Sequence, residues 1–454
     1  MDTIRIDFQN SLDKERQSEM GQFLTRPSIA GMMAGMFTNF PREINLIDPG
    51  AGVGSLSAAF TFKAISAFPK PEKIKITAFE LDPDLINGLK FTLNQCQQLC
   101  HQSQVNFQYE IRQEDFIAAS VEMIARKDTF FPGNEPNYNI AILNPPYKKI
   151  NSLSKTKHLL NAVGIETTNM YSAFMWLVIK LLIPNGEMVA IVPRSFCNGT
   201  YFRPFRSDLL QTMAINRIHL FGSRDKAFNE GDVLQENIIL HAIKTHQPAP
   251  KTKITFSDHP EDEDLISQTV DFEQLVQPDD PDLFIRIVPD QLGQQIDIQI
   301  HALASSLKDL GITVSTGRVV DFRSREFLRD QPDHEIIPLI YPANLQNGTI
   351  LWPRPNLKKP SYLASSRDTD PLVIPGRYYV LVKSFSSKEE KRRVYAAIFD
   401  PHKISAKKVG IENHLNYFHK QYGDLSEDLA KGLTLYLNSS LVDQYFRQFS
   451  GHTQ

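Results

Sequence analysis

Cysteine is scarce in this 454-residue sequence, which contains three: Cys96, Cys100 and Cys197. Three cysteines without a CxxC spacing argue against a disulfide framework and against a zinc site. Long apolar stretches are also missing, since no run of roughly 18 apolar residues, the minimum for a membrane-spanning helix, occurs. The opening residues MDTIRID lack the apolar core of a signal peptide. We therefore expect a cytoplasmic protein.

The charge of the chain is nearly balanced, at −3 overall, but it changes along the sequence. Residues 1–245 carry +1, residues 246–300 carry −9 and residues 301–454 carry +5. The acidic middle stretch is also interrupted by prolines. A chain of this length is expected to form two domains of roughly 100–250 residues each. We therefore predict one domain at 1–245, an acidic linker or peripheral segment at 246–300, and a second domain at 301–454.

An apolar run that ends in Asn144-Pro145-Pro146-Tyr147 is the most informative stretch. Two consecutive prolines cannot continue a central strand, because neither has an N–H to donate to the ladder. The strand must end there, at the edge where open α/β sheets place their ligands. A carboxamide oxygen and a backbone carbonyl can accept hydrogen bonds from an –NH2 group, while the tyrosine ring can stack on its plane. A rigid corner without chemistry is the alternative interpretation.

A glycine-rich turn follows an earlier predicted strand, which ends at Asp48. Gly50 and Gly52 would let the backbone approach a ligand closely, and a helix predicted to begin at about Ser55 would offer unpaired N–H groups. The spacing differs from the dinucleotide-binding GxGxxG motif. Ahead of this strand, Ser28 is predicted to cap a helix.

Two further predicted strands end in residues suited to a nucleoside. One ends at Glu80, whose carboxylate could accept hydrogen bonds from both ribose hydroxyls. The other leads to Asp115 and Phe116, which could accept the adenine amino group and pack on the ring. Acids at strand ends are common, so exposed charges without a ligand remain the alternative for each.

The order of these motifs resembles that of the S-adenosylmethionine-dependent amino methyltransferases. It resembles more closely the gamma-class DNA adenine-N6 methyltransferases of type II restriction–modification systems, in the branch that accompanies BsuBI/PstI-like restriction enzymes. That class has a segment like GQFLTRPSIA before the glycine motif, NPPY after it, and target recognition near the C-terminal end. One departure is Arg26, inserted before the proline. Further similar segments lie at 171–174, 185–196, 201–206, 233–239, 437–446 and 450–453.

The resemblance implies an α/β fold: a Rossmann-like methyltransferase domain with a mixed seven-stranded sheet, followed by a mixed α/β target-recognition domain. It implies methyl transfer from S-adenosylmethionine to N6 of a flipped-out adenine in double-stranded DNA (EC 2.1.1.72). Such an enzyme protects host DNA from a cognate restriction endonuclease acting on the same site. We expect a monomer that requires no metal. Two alternatives remain open: a methyltransferase for protein glutamine-N5 or RNA adenine, and a catalytically silent DNA-binding subunit.

The resemblance also assigns roles to individual residues. Asn144 and the Pro145 carbonyl would accept the two N6 hydrogens, with Pro146 completing the turn. Tyr147 would stack on the adenine, and Phe196 would line the opposite side of the pocket. Eight residues would contact the cofactor, the first two at its methionine end: Thr25, Pro27, Asp48, Gly50, Gly52, Glu80, Asp115 and Phe116.

A basic stretch in the C-terminal part suggests where DNA would bind. Residues 351–410 contain 13 Lys and Arg against 5 Asp and Glu, interleaved with aromatic side chains. Basic side chains pair with phosphates and supply salt-dependent affinity. One such cluster is commonly a solvated surface, but several beside a methyltransferase domain favour a DNA-facing surface. The candidate residues are Lys358, Lys359, Arg392, Arg393, Lys407 and Lys408.

Overall fold

The computed structural model describes residues 24–127, 137–221, 237–262, 265–288, 291–332, 336–386 and 390–449. The chain divides into two compact units, Met1–Pro289 and Asp290–Gln454. The segments 233–239 and 450–453, and the start of GQFLTRPSIA, lie wholly or partly outside the described residues.

A nine-stranded sheet forms the centre of the first unit, with the strand order β3-β2-β1-β4-β5-β7-β6-β8-β9. Its strands are β1 (Glu43–Pro49), β2 (Lys73–Phe79), β3 (Asn106–Arg112), β4 (Tyr138–Leu143), β5 (Leu182–Pro193), β6 (Met213–Phe221), β7 (Asn237–Lys244), β8 (Lys251–Ser257) and β9 (Ile266–Asp271).

The first five strands run parallel to one another, and β7 is antiparallel to both β5 and β6. The carboxyl ends of β1 to β5 therefore meet at one edge of the sheet, which we call the carboxyl edge. The first residues of these strands, and of β6, lie at the opposite edge. This arrangement confirms the predicted Rossmann-like architecture, in which ligands bind where parallel strands end.

The predicted count of seven strands is corrected to nine, because two strands follow β7. Strand β8 pairs in parallel with β6, and β9 pairs antiparallel with β8. In β8, exposed lysines alternate with the buried residues Thr252 and Ile254. This two-residue period is typical of a strand that has one face in the core. Part of the stretch 246–300, predicted to be a linker or peripheral segment, therefore belongs to the sheet. The boundary between the two units falls between residues 289 and 290 of the chain.

Helices pack on both faces of this sheet. Alternate residues of β4 point to the two sides: Ile140 and Ile142 join one core cluster, while Ala141 and Leu143 join the other. The helices are α1 (Pro27–Ala34), α2 (Ser55–Ile65), α3 (Pro83–Gln102), α4 (Phe116–Lys127), α5 (Lys155–Ala162), α6 (Met170–Leu181), α7 (Arg203–Thr212) and α8 (Phe272–Leu275).

All three cysteines are free and buried. Cys96 and Cys100 lie one turn apart on α3, where burial raises the pKa of Cys96 to about 11 and that of Cys100 to about 12. Both side chains belong to the core cluster between the sheet and helices α1 to α3. Among the described residues, none of the helices combines the length and the apolar character that a membrane-spanning segment needs.

Two smaller sheets form the second unit, which is mixed α/β as predicted. One has the order β10-β20-β17-β18-β14-β13 and the other β11-β15-β12-β19-β16. The strands are β10 (Ile312–Thr316), β11 (Leu328–Arg329), β12 (Ile336–Ile340), β13 (Leu345–Gln346), β14 (Thr349–Ile350), β15 (Tyr362–Ala364), β16 (Val373–Pro375), β17 (Tyr379–Lys383), β18 (Ala396–Phe399), β19 (Lys408–Ile411) and β20 (Leu415–Lys420). The helices are α9 (Gln291–His301), α10 (Glu427–Leu437) and α11 (Ser440–Phe449).

The core of the second unit lies between its two sheets. Ile340 and Val409 from the five-stranded sheet share one cluster with Leu381 and Phe399 from the six-stranded sheet. On the other face of the six-stranded sheet, Leu433 of α10 packs in a second cluster.

A glycine substitution tests the packing of this unit. A methyl group added at Gly376 would lie 1.8 Å from the carbonyl oxygen of Ala406, so the backbone would have to shift. We expect Gly376→Ala to lower the free energy of unfolding by about 1–3 kcal/mol. In Gly432→Ala the new methyl group meets no atom within 4 Å. That control should stabilise helix α10 by about 0.5–1 kcal/mol. Urea unfolding measures both, and equal midpoints would contradict this account.

Candidate active site

The side-chain amide of Asn144 is held by hydrogen bonds on both sides. Its Nδ2 donates to Thr25 Oγ1 at 3.0 Å, and its Oδ1 accepts from the Tyr147 hydroxyl at 3.0 Å. The same hydroxyl lies 3.2 Å from the carbonyl oxygen of Ile191 on strand β5. Strand β4 ends at Leu143, immediately before Asn144, as the two prolines predict. These contacts fix which end of the amide faces Thr25 and which faces Tyr147.

Aromatic side chains back Tyr147 from one side. Its ring is perpendicular to that of Tyr171, with centroids 6.3 Å apart, and Tyr171 packs at 5.6 Å on Phe202. The Tyr171 hydroxyl lies 2.8 Å from Ser195 Oγ. Burial raises the pKa of both tyrosines, so their hydroxyls stay protonated. The sequence analysis assigned no role to Tyr171 and Phe202, although both lie in segments that resemble the family.

The predicted role of Phe196 is corrected by its burial. Its side chain is 1% exposed and packs edge-on against Phe205, with ring centroids 5.7 Å apart. Residues Arg194–Cys197 form a short 3-10 helix, and the Phe196 ring belongs to the apolar core. It therefore offers no surface to a base in this structure.

A buried arginine holds the segment behind Tyr171. The Arg206 guanidinium donates to the carbonyl oxygens of Phe196 at 2.8 Å, Gly199 at 2.6 Å and Asp282 at 2.8 Å. Its side chain is fully buried, and its guanidinium lies 5.3 Å from the centre of the Phe284 ring. Burial lowers the pKa of Arg206, but an arginine with a normal value above about 12 stays charged. This cation anchors residues 196–199 to α7 and to the chain at 282–284.

Asp48 has one satisfied and one unsatisfied carboxylate oxygen. Its Oδ2 accepts a hydrogen bond of 2.6 Å from Ser57 Oγ at the start of α2. Its Oδ1 is buried and has no hydrogen-bond partner among the described residues. The pKa of Asp48 is raised to about 7, mainly because the carboxyl is buried; the hydrogen bond from Ser57 opposes this rise, and the nearby Glu80 contributes to it. A buried acceptor of this kind suits a ligand that brings a positively charged amine.

Glu80 ties the glycine turn to the end of β2. Its Oε2 accepts from the backbone N–H of Gly52 at 2.8 Å, and its Oε1 accepts from that of Asp82 at 2.8 Å. The carboxylate is buried, and burial raises its pKa. Each oxygen keeps a lone pair, so the group can still accept two ribose hydroxyls.

The chain before α1 lies directly over this turn. Gly52 has φ +58°, and a Cβ built there would be 3.0 Å from a methyl carbon of Leu24. A Cβ at Gly50, where φ is +77°, would have its nearest neighbour at 3.9 Å on Phe174. Helix α1 begins at Pro27, with Arg26 as its N-cap, two residues earlier than a helix capped by the predicted Ser28 would begin. Segment 24–27 therefore contacts both the glycine turn and Asn144.

The predicted adenine-binding pair lies at the start of α4. One oxygen of Asp115 accepts from the N–H of Ile117 at 2.8 Å and so caps the helix. Phe116 packs perpendicular to Phe79 at 5.2 Å and lies 4.8 Å from Phe174. The Asp115 side chain is exposed, whereas Phe116 is 4% exposed and offers a ligand little of its ring.

The basic residues of the second unit that were predicted to bind DNA differ in their exposure and in their partners. Arg393 is 3% exposed, donates from Nε to Ser386 Oγ at 3.0 Å, and lies over the Phe446 ring. Its predicted DNA-binding role is therefore corrected to a packing role. Two exposed lysines form ion pairs, Lys359 with Asp321 and Lys408 with Asp370. The other exposed candidates are Lys358, Arg392 and Lys407.

Replacement of Arg206 by lysine tests the anchor behind Tyr171. Lysine keeps the charge but cannot reach three carbonyl groups with a planar fork, so buried acceptors would lose their donors. We expect Arg206→Lys to lower the free energy of unfolding by about 3 kcal/mol. The matched control is Arg203→Lys, since exposed Arg203 donates to the Pro281 carbonyl oxygen. That control should change stability by about 0.5 kcal/mol or less. Equal losses in chemical denaturation would contradict the anchoring role.

Comparison with known proteins identifies the family. The family model for the Eco57I restriction-modification methylases matches residues 66–228. Over all 454 residues, the chain is 42% identical to Type II methyltransferase M.PstI of Providencia stuartii, of which it covers 88%. Over 442 residues, or 97% of the chain, it is 39% identical to Type II methyltransferase M.BsuBI of Bacillus subtilis, of which it covers 86%.

A solved structure supports the fold. The structure of the Type IIL restriction-modification enzyme MmeI in complex with DNA is similar to this protein, with a TM-score of 0.52. The match covers 100% of this chain and 63% of the MmeI chain. At 11% identity this likeness concerns the fold alone. The alignments to M.PstI and M.BsuBI cover 100% and 97% of this chain, and 88% and 86% of those two proteins. The chain therefore belongs to the family of Type II restriction–modification methyltransferases.

Proposed function

We propose that this protein methylates N6 of an adenine flipped out of double-stranded DNA at a specific sequence, with S-adenosylmethionine as the methyl donor. The observation that carries the proposal is the Asn144 amide, held by Thr25 and Tyr147 at the carboxyl edge of β4. In this arrangement the amide nitrogen donates to Thr25, and the amide oxygen is the atom that would accept a hydrogen bond from a target amine.

Two acceptors would bind the target amino group. Asn144 Oδ1 would accept one N6 hydrogen, and the Pro145 carbonyl would accept the other. Hydrogen bonds to both hydrogens draw the nitrogen lone pair out of conjugation with the ring, and this makes N6 a better nucleophile. When bound, S-adenosylmethionine supplies an electrophilic methyl group on a sulfonium. The protein then contributes mainly alignment, which can lower a barrier by about 7–11 kcal/mol.

The aromatic side chains would hold the flipped base. Flipping costs a few kcal/mol of stacking and pairing, part of which a new stacking partner restores. Tyr147 would provide that partner, and its edge-on contact with Tyr171 keeps its ring in place. Phe202 supports Tyr171 from behind. The Phe196 side chain, expected to form the opposite wall, is buried in the apolar core.

The glycine turn fits the methyl donor. Asp48 Oδ1, buried without a partner among the described residues, would accept the ammonium group of the methionyl part. Glu80 would accept the ribose hydroxyls, and Asp115 with Phe116 would meet the adenine. Thr25 and Pro27 would border the methionine end, and the close approach of Leu24 to Gly52 leaves no room for a side chain in the turn.

Membership in a restriction–modification family favours DNA over protein glutamine or RNA as the substrate. The intact hydrogen bonds of Asn144 favour an active enzyme over a silent subunit. We further propose that the second unit recognises the target sequence through its exposed basic residues. We also propose that the enzyme is a monomer and that a restriction endonuclease acts on the same DNA site.

Asn144→Ala tests the amine-binding role. The variant loses the side-chain acceptor, and we expect methyl transfer to fall by about two to three orders of magnitude, as when one charge-stabilising hydrogen bond is removed. The fold and the affinity for S-adenosylmethionine should be kept. The control is Asn151→Ala, which alters an exposed asparagine of the loop before α5.

The readout is long-read detection of modified adenine in DNA from a methylation-deficient host, together with single-turnover rates on that DNA. Modification of one sequence by wild type and by Asn151→Ala, but not by Asn144→Ala, is the expected result. Turnover of Asn144→Ala near the wild-type rate would refute the assignment. Unmodified DNA, despite a folded protein that binds the cofactor, would point to RNA or protein substrates.

The pH dependence of cofactor binding tests Asp48. In the free protein Asp48 has a pKa of about 7, so it is mostly protonated below that pH. An ammonium group beside Oδ1 favours the ionised form, so binding below pH 7 must release a proton. Affinity for S-adenosylmethionine should therefore weaken as the pH falls below 7, by at most about tenfold per unit.

Calorimetric titrations between pH 5.5 and 8, in buffers of different ionisation enthalpy, measure both affinity and proton release. The Asp48→Asn variant should bind more weakly at pH 8 and should lose this component of the pH dependence. Equal wild-type affinities at the two ends of the range would contradict the role of Asp48.

A further inference from the structure

A cavity of the first unit lies at the edge of the sheet opposite Asn144. It has a volume of about 650 Å³ and is lined by the first residues of β6 and β8, the end of β7 and the chain just after α1. Three of its lining residues are Arg or Lys, namely Arg217, Lys251 and Lys253, and none is Asp or Glu. The proposed methyl transfer makes no use of this cavity.

Two of these cations face each other across neighbouring strands. Arg217 of β6 and Lys253 of β8 are register partners in a parallel pair, so their side chains leave the same face of the sheet. Like charges in directly opposite positions destabilise a sheet unless something compensates them. The register of β6 against β7 shifts between Ile215 and Arg217, as in a β-bulge. Such irregularities re-aim side chains next to functional sites.

No acid compensates this pair within the part of the chain that the structure describes. The Nε of Arg217 is buried without a hydrogen-bond partner, and neither Arg217 nor Lys253 forms an ion pair there. Lys251, by contrast, lies 4.0 Å from Asp271. Burial lowers the pKa of Arg217, as expected for a cation moved out of water.

Glu187, a buried acid near the cavity, already has hydrogen-bond partners. Glu187 accepts hydrogen bonds from the backbone N–H and the hydroxyl of Thr38, each at 3.0 Å. Its Oε2 also lies 2.9 Å from His241 Nε2. Thr38 and His241 line the cavity but Glu187 does not. The neutral polar side chains that also line the cavity include Asn216, Thr245 and Gln247. All three can donate hydrogen bonds.

We propose that this cavity binds a phosphate-bearing ligand, with the phosphate between Arg217 and Lys253. An arginine fork and a lysine ammonium, supplemented by neutral donors, match the several oxygens of a tetrahedral phosphate. An anion there would also relieve the repulsion between the two strands. The volume is in the range of about 300–1,000 Å³ that is typical of small-molecule sites. Inorganic phosphate and a mononucleotide are the two sources of such a group.

Calorimetric titration of the full chain with inorganic phosphate and, separately, with cytidine monophosphate tests the proposal. A pyrimidine nucleotide is chosen because the methyl donor and the target base both carry adenine. Lys253→Gln alters an exposed side chain and should leave the fold intact. Arg217→Lys keeps the charge but loses the fork. Each variant should bind about tenfold more weakly, the usual effect of losing one charge-assisted hydrogen bond.

The charge-matched control is Lys63→Gln, which removes an exposed lysine of α2 outside the cavity and should bind as wild type. Similar affinities for the two ligands would identify phosphate itself as the recognised group. A tenfold or greater preference for the nucleotide would show that the rest of the cavity contributes. Binding weaker than about 10 mM for both ligands, or unchanged affinity in Lys253→Gln, would overturn the proposal.

Discussion

The hydrogen bonds that hold the Asn144 amide connect three parts of the chain that are distant in sequence. Thr25 precedes the first strand, Tyr147 follows the fourth, and Ile191 lies in the fifth. These residues meet because β4 is parallel to both β1 and β5, so that the strands end at a common edge. The two prolines then stop β4 at that edge. The position of one carboxamide thus depends on the order and direction of the central strands.

Much of the first unit was predictable because its signals are local. Prolines end a strand wherever they occur, and glycines with positive φ mark the turn after β1 regardless of what packs around it. The ends of β1 and β4, predicted at Asp48 and Asn144 from such signals, lie within one residue of those positions. The roles assigned from family resemblance depended instead on which way a side chain points.

The errors arose where tertiary packing decides. Phe196 and Arg393 are both buried, and no local pattern distinguishes an inward from an outward ring or guanidinium. Strands β8 and β9 lie in a stretch whose acidic, proline-containing composition suggested a linker. The contact between Thr25 and Asn144 joins residues 119 positions apart. A single sequence carries no signal for such a pairing.

Burial of the cysteines has a practical consequence for solution studies. A thiol reacts as its thiolate, and burial raises the pKa of Cys96 to about 11 and of Cys100 to about 12. Cys197 is also fully buried. Alkylating reagents should therefore leave the native protein almost untouched at neutral pH. One cysteine introduced at an exposed position would be the sole reactive thiol, so a fluorophore or spin label could be attached there without first removing the natural cysteines.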